Sequence, residues 1–100
     1  VSSKRTVIRR VDNNQAEVVK RLKLHGVSVL HLHTVGNGCP DLLIGFRGAN
    51  YLVELKNPDN PPSKRELTDD EKKFFCLWKG QVVKAETVEQ ILEAIGYDHK

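Results

Sequence analysis

Aromatic side chains make up only 6% of the 100 residues, with a single tryptophan, and cysteine occurs twice, as Cys39 and Cys76. Two cysteines outside any CxxC spacing exclude a disulfide scaffold and a four-cysteine zinc site, and both are expected to be packing residues. No apolar run approaches the roughly 20 residues of a membrane span, and the N-terminal stretch lacks the apolar segment of a signal peptide, so a cytoplasmic protein is expected. There is no internal repeat and no low-complexity segment. A nucleotide-binding glycine loop and a nucleophile elbow are also missing.

What remains is the composition of one folded domain, 39% hydrophobic and 29% charged. The net charge of +3 hides an asymmetry: residues 1–25 carry seven Lys and Arg against Asp12 and Glu17, and the rest is slightly acidic. A basic front end of this kind, Lys4, Arg5, Arg9 and Arg10 above all, suits contact with a polyanion such as DNA, the alternative being a solvated basic tail. Residues 1–12 are expected to form a lead-in or arm, and residues 13–100 the domain itself.

Periodicity and stop signals then divide the chain. Helix one is expected from about Asn14 to His25, capped by Asn13 or Asn14 and ended at Gly26, with Gln15, Val18, Val19 and Leu22 on one face and Glu17 turned away. Val27 to Val35 reads as a strand. Asp41 to Phe46 and Tyr51 to Lys56 read as a hairpin joined across the RGAN link. Pro58, Pro61 and Pro62 mark a loop. Helix two follows from about Thr68, with Asp69 to Glu71 in its first turn and Gly80 as its stop. A strand over Gln81 to Ala85 and a helix from Thr87 to Ile95 complete the order αβββαβα, an α/β fold with a mixed sheet and flanking helices.

Carboxylates interrupt both hairpin strands, at Asp41 and Glu54, where a buried ion without a partner is costly. An even-numbered link pairing 47 with 50 sets Asp41 opposite Lys56, and alternation then puts Asp41, Glu54 and Lys56 on one face. Leu43 and Leu52 fill the rest of that face, which the apolar side of helix one is expected to cover. Two carboxylates and a lysine at a sheet end suit a hard divalent cation, with the ammonium assisting the attacking water or the developing charge. The plain alternative is a salt bridge between Lys56 and either acid.

Pro40-Asp41, twelve further residues and Glu54-Leu55-Lys56 resemble the PD-(D/E)xK nuclease signature. The surroundings, VVxxL before Gly26, GxPDLLI, ELKNP, LTDDE and WxGQVVxAxTVEQIL, are similar to a stand-alone VRR-NUC domain over roughly residues 13–96. The resemblance implies a restriction-endonuclease-like fold. It further implies Mg²⁺ or Mn²⁺ held by Asp41 and Glu54 with the Leu55 carbonyl, a catalytic Lys56, and branched or flapped DNA as substrate, often handled by a homodimer. Two positions depart from the pattern. The acidic residue such nucleases often carry on the first helix is Gln15 here, expected to be a weak or water-mediated ligand. The glutamine often found at the start of the second helix is Glu71, which either supplies the missing charge or is a helix N-terminal acid.

Other candidates are weaker. His31 and His33 alternate on the first strand, near enough to touch phosphate or else simply half-buried. Trp78, with Phe74, Phe75 and Leu77 around it, is expected in the core rather than as a base-stacking platform. The expected activity is metal-dependent endonucleolytic cleavage of branched DNA, four-way junctions or flaps. The rivals are a non-catalytic nucleic-acid-binding module on the same scaffold and a restriction-like enzyme reading duplex sequence, for which 100 residues leave little room.

Overall fold

A computed structural model describes residues 14–97. Residues 1–13, with the basic side chains Lys4, Arg5, Arg9 and Arg10 and the candidate cap Asn13, lie outside the described residues, as do 98–100. Helix α1 covers 14–24 and is followed by strands β1 (Ser28–His31), β2 (Leu42–Phe46) and β3 (Ala49–Leu55). After a 3-10 turn at Pro62–Lys64 come helix α2 (Asp69–Leu77), strand β4 (Val82–Ala85) and helix α3 (Val88–Ala94). This is the order αβββαβα. The strands form one sheet in the order β1-β2-β3-β4, antiparallel except for the parallel pair β3 and β4.

Local chemistry explains the element ends. At the end of α1 the Val27 N–H donates to the Leu22 carbonyl and the Gly26 N–H to that of Lys23. At the end of α3 the Tyr97 N–H donates to Leu92 and the Gly96 N–H to Glu93. Both are the paired bonds of a Schellman motif, so carbonyls that the helix leaves open are satisfied. Helix α2 starts in a capping box: Thr68 accepts from the Glu71 N–H, and the Glu71 carboxylate accepts from the Thr68 N–H. It ends at Leu77, before the expected stop at Gly80, because Trp78 turns to an extended conformation. β1 is likewise shorter than expected and leaves His33 in a turn.

The hairpin corrects the expected register. Its turn is the two-residue pair Arg47-Gly48, both at positive φ of 52° and 80°, so Phe46 pairs with Ala49 and Leu42 with Val53. Two successive residues at positive φ give the turn whose twist matches a hairpin. Continued by one residue, this register sets Asp41 across from Glu54 rather than Lys56. The shift is by two residues, so parity is kept and all three stay on one face.

The faces of the sheet divide differently from expectation. Leu42, Ile44, Val53 and Leu55 point to one side and form the core with Val18, Val19 and Leu22 of α1 and Val88, Ile91 and Leu92 of α3. Helix α1 therefore covers the face opposite Leu43 and Leu52. An Arg21–Glu89 ion pair at 2.8 Å joins α1 to α3 at the surface, a contact of small energetic value in water. Helix α2 has no buried residue, and Trp78, expected in the core, is 47% exposed. Of the cysteines, Cys39 is half-buried but Cys76 is exposed, so only the former packs as expected. No helix among the described residues is long and apolar enough to cross a membrane.

Candidate active site

Each polar group of the cluster is placed by a neighbouring element. Asp41 immediately precedes β2, and its Oδ2 accepts the Leu55 backbone N–H at 2.9 Å, which ties the loop residue to the end of β3. Glu54, on β3, is 4% exposed and the only buried charged residue among those described. Lys56 follows β3, and its backbone N–H donates to the Ala85 carbonyl of β4 at 2.8 Å. The Lys56 Nζ lies 2.9 Å from Glu71 Oε1 and 3.5 Å from Glu54 Oε2. Glu71 is set by its capping box, since the same Oε1 accepts the Thr68 N–H at 2.8 Å.

The loop before Asp41 holds the first turn of α2 close. Gly38 has φ of +79°, and a Cβ there would collide with the backbone carbonyl of Asp70. Glycine is required for both reasons, the left-handed backbone and the close approach. Through this contact the 36–40 loop and the start of α2 keep Asp41 and Glu71 in one neighbourhood.

Three carboxylates thus share one ammonium. Burial opposes the charge on Glu71, but the Lys56 hydrogen bond and the Thr68 N–H outweigh it and hold Glu71 below its ordinary range. Burial likewise works against the Lys56 ammonium, yet the bond to Glu71 and the attraction of Glu54 raise its pKa. That pair is ionised. Burial raises Asp41 against the opposing effects of the Leu55 N–H and Lys56. Glu54 bears the remaining excess: burial, then the charges of Asp41 and Glu71, push it up to about 8, so it is mostly protonated at neutral pH.

The structure therefore brings Asp41, Glu54, Lys56 and Glu71 together. It realises part of the plain salt-bridge alternative, with Glu71 rather than Asp41 as the closest acid partner of Lys56. Gln15 is placed elsewhere: its Nε2 lies 3.3 Å from Nδ1 of His31, whose β1 position pairs with Leu42 on the core face. His31 and His33 are both exposed, with rings 6.2 Å apart edge to face. Glu17 is exposed on α1. The Leu55 side chain belongs to the core, and its N–H serves Asp41. Thr68 is expected from sequence only as the start of helix two and Gly38 only as the glycine of GxPDLLI, without the roles they have at the site. Thr68 is legible in the T-x-x-E spacing of a capping box, whereas Gly38 carries no local signal for the approach of α2.

Cys39 also borders the cluster. Burial, then the charges of Glu54 and Asp41, raise its thiol pKa, which keeps it protonated and unreactive. Among the described residues no three His, Cys, Asp or Glu side chains group so as to hold a metal ion by themselves. The cluster offers carboxylate oxygens only, with more negative than positive charge. No family model, no curated protein and no solved structure matches this chain.

Proposed function

We propose that this chain is a divalent-metal-dependent endonuclease of the PD-(D/E)xK type, acting as a homodimer on branched DNA. The observation that carries the reading is the junction of Asp41, Glu54 and Lys56 on one sheet face, where burial, and after it an excess of carboxylates, keeps a proton on Glu54. That excess is the condition a hard cation relieves, and metal binding in such a site displaces the proton. The donor set fits Mg²⁺ or Mn²⁺, because Mg²⁺ is commonly bound through one or two carboxylates and retains several waters. Asp41 and Glu54 would hold the ion. When bound, it supplies Lewis-acid polarisation of the phosphodiester and a more acidic water.

The chain's own groups do the rest. The Leu55 N–H fixes the Asp41 carboxylate, and Glu71 accepts from one of the three donors of the Lys56 ammonium while Glu54 lies in ion-pair range at 3.5 Å. The ammonium keeps donor capacity for a phosphate oxygen or the attacking water, where a fixed positive charge stabilises the transition state. Two-fold pairing would present two such sites to opposed strands, as a junction requires. Branch geometry rather than base sequence would select the substrate, since phosphate contacts carry little sequence information.

The test is side-by-side incubation of labelled four-way junction, flap and linear duplex with Mg²⁺ or Mn²⁺. Cleavage of the branched substrates, lost in Asp41→Asn and Glu54→Gln, is the expected result. Binding without any cleavage would leave a non-catalytic nucleic-acid-binding module in its place.

A further inference from the structure

The aromatic end of α2 has no role in the acid cluster, and packing does not account for it. Phe74 and Trp78 stack at 5.2 Å between ring centroids with their planes 16° apart. Trp78 is 47% exposed and Leu77 65%, although the chain has few aromatic side chains to place. They line a cleft of about 390 Å³, with Lys73, Asp70 and Asn37 as its polar members, a size suited to one small aromatic guest. Large apolar groups exposed together mark a contact surface more often than chance.

Charge and position narrow the guest. Residues 72–79 carry Lys72, Lys73 and Lys79, all exposed, and no acid. An aromatic platform among ammonium groups is the arrangement that binds single-stranded nucleic acid, with bases stacking on the rings and phosphates following the charge. Asp70, also lining the cleft, would repel phosphate but accept a hydrogen bond from a base amino group. Glu71 and Phe74 stand at i and i+3 on one stripe of α2, and Trp78, the residue that ends the helix, continues it at i+7. The stack therefore begins about 5 Å along the axis from the residue that holds Lys56 and reaches about 10 Å from it at Trp78. Paired bases already stack on one another in a duplex and offer no free ring face.

We propose that the Phe74–Trp78 stack receives an unpaired nucleobase of the strand whose phosphodiester the acid cluster cleaves. This rests on the nuclease reading for its substrate and names the feature that substrate must have: at least one unstacked nucleotide beside the scissile bond.

Trp78 is the only tryptophan of the chain, so its emission reports the site directly. The protein is titrated in EDTA with a short single-stranded oligothymidylate and with a linear duplex of equal length, while labelled-strand anisotropy gives affinity. Quenching by the single strand but not by the duplex is expected. Trp78→Ala should weaken single-strand affinity about tenfold or more while leaving duplex affinity unchanged, and Trp78→Phe should recover most of it. Circular dichroism checks that both variants fold, which the exposure of the side chain favours. Absence of quenching, or an equal loss on both nucleic acids, overturns the proposal. So does emission that changes on dilution without nucleic acid, which would identify a second copy of this chain as the occupant. Because these measurements need no metal, quenching without any cleavage would sink the nuclease reading alone, and cleavage without quenching would sink the platform alone.

Discussion

The two faces of the sheet are made by alternate residues of the same strands, yet they obey different rules. Toward α1 and α3, Leu42, Ile44 and Val53 are fully buried in an apolar layer. Toward α2, the next residues along, Asp41 and Glu54, bring carboxyl groups out of water, and the helix beside them has no fully buried residue. One face gains free energy from burial throughout, whereas on the other the burial of Leu52 is offset by the desolvation of the carboxyl groups. A charge arrangement that fails to neutralise itself persists in a folded chain where something else makes use of it. If that division is correct, substitutions on the two faces should separate activity from stability.

The largest effect is expected from the acids. Asp41→Asn and Glu54→Gln should each lower cleavage by at least about two orders of magnitude, as loss of a charge-stabilising group at a reacting centre does. Thermal unfolding should show neither variant to be less stable at neutral pH. Near-normal turnover with Mg²⁺ in either one would dissolve the functional distinction between the faces.

Ile44→Ala on the opposite face should do the reverse. Truncating a fully buried aliphatic side chain costs about 2–5 kcal/mol, a large share of the 5–15 kcal/mol typical of a domain. Chemical denaturation should register that loss, while the fraction that remains folded cleaves at the wild-type rate. A variant that folds normally but cleaves poorly would mean that the core face feeds directly into the site.

The strand assignments and the αβββαβα order were legible because β-branched runs, caps and glycine stops agree with one another in this chain. Parity was legible as well: Asp41, Glu54 and Lys56 share a face whether the register is read with 47 or 46 as the last paired residue, since the two differ by an even step. What sequence could not supply was the side that each helix chooses. Leu43 and Leu52 alternate with Leu42 and Val53, so both faces of β2 and β3 look apolar over several residues, and only the docking of α1 decides between them. The aromatic run Phe74 to Trp78 reads as core for the same reason. Phe74 and Phe75 are only half-buried and Leu77 and Trp78 exposed, because α2 is tethered through Glu71 and Gly38 rather than by its apolar side chains.

A smaller effect, of opposite sign to ordinary acid denaturation, concerns pH. The folded-state pKa of Glu54 is raised to about 8, so its favourable contribution is fully present below its ordinary value and lost as pH rises through about 8. Asp41, also raised, acts in the same direction from a lower starting point. Glu71 is lowered, and its contribution fades only on the acid side of the ordinary carboxylate range. Between about pH 5 and 8 the protein should therefore lose stability on the order of 2–3 kcal/mol in EDTA. Glu54→Gln should flatten that slope, and Mg²⁺ should restore wild-type stability at pH 8 if it binds the ionised pair. A wild-type profile that is flat across this range in EDTA would show that the carboxylates are better solvated than their burial indicates.

The smallest expected effect is the sharpest test of the boundary between the faces. The resemblance noted in the sequence would put an acid at the position of Gln15, and under the proposed reading a carboxylate reaching the cluster from there would add a third ligand. In this structure its amide reaches His31 instead, on an edge strand whose residue 31 points with Leu42 toward the core side. Gln15→Glu should accordingly leave the calorimetric affinity for Mg²⁺ and Mn²⁺ unchanged and alter stability by no more than about 0.5 kcal/mol, as exposed substitutions away from special sites do. A clear rise in divalent-metal affinity would mean that the first turn of α1 reaches around the β1 edge into the acid cluster. The helix that covers the apolar face would then also complete the charged one, and the two faces would have to be treated as a single site.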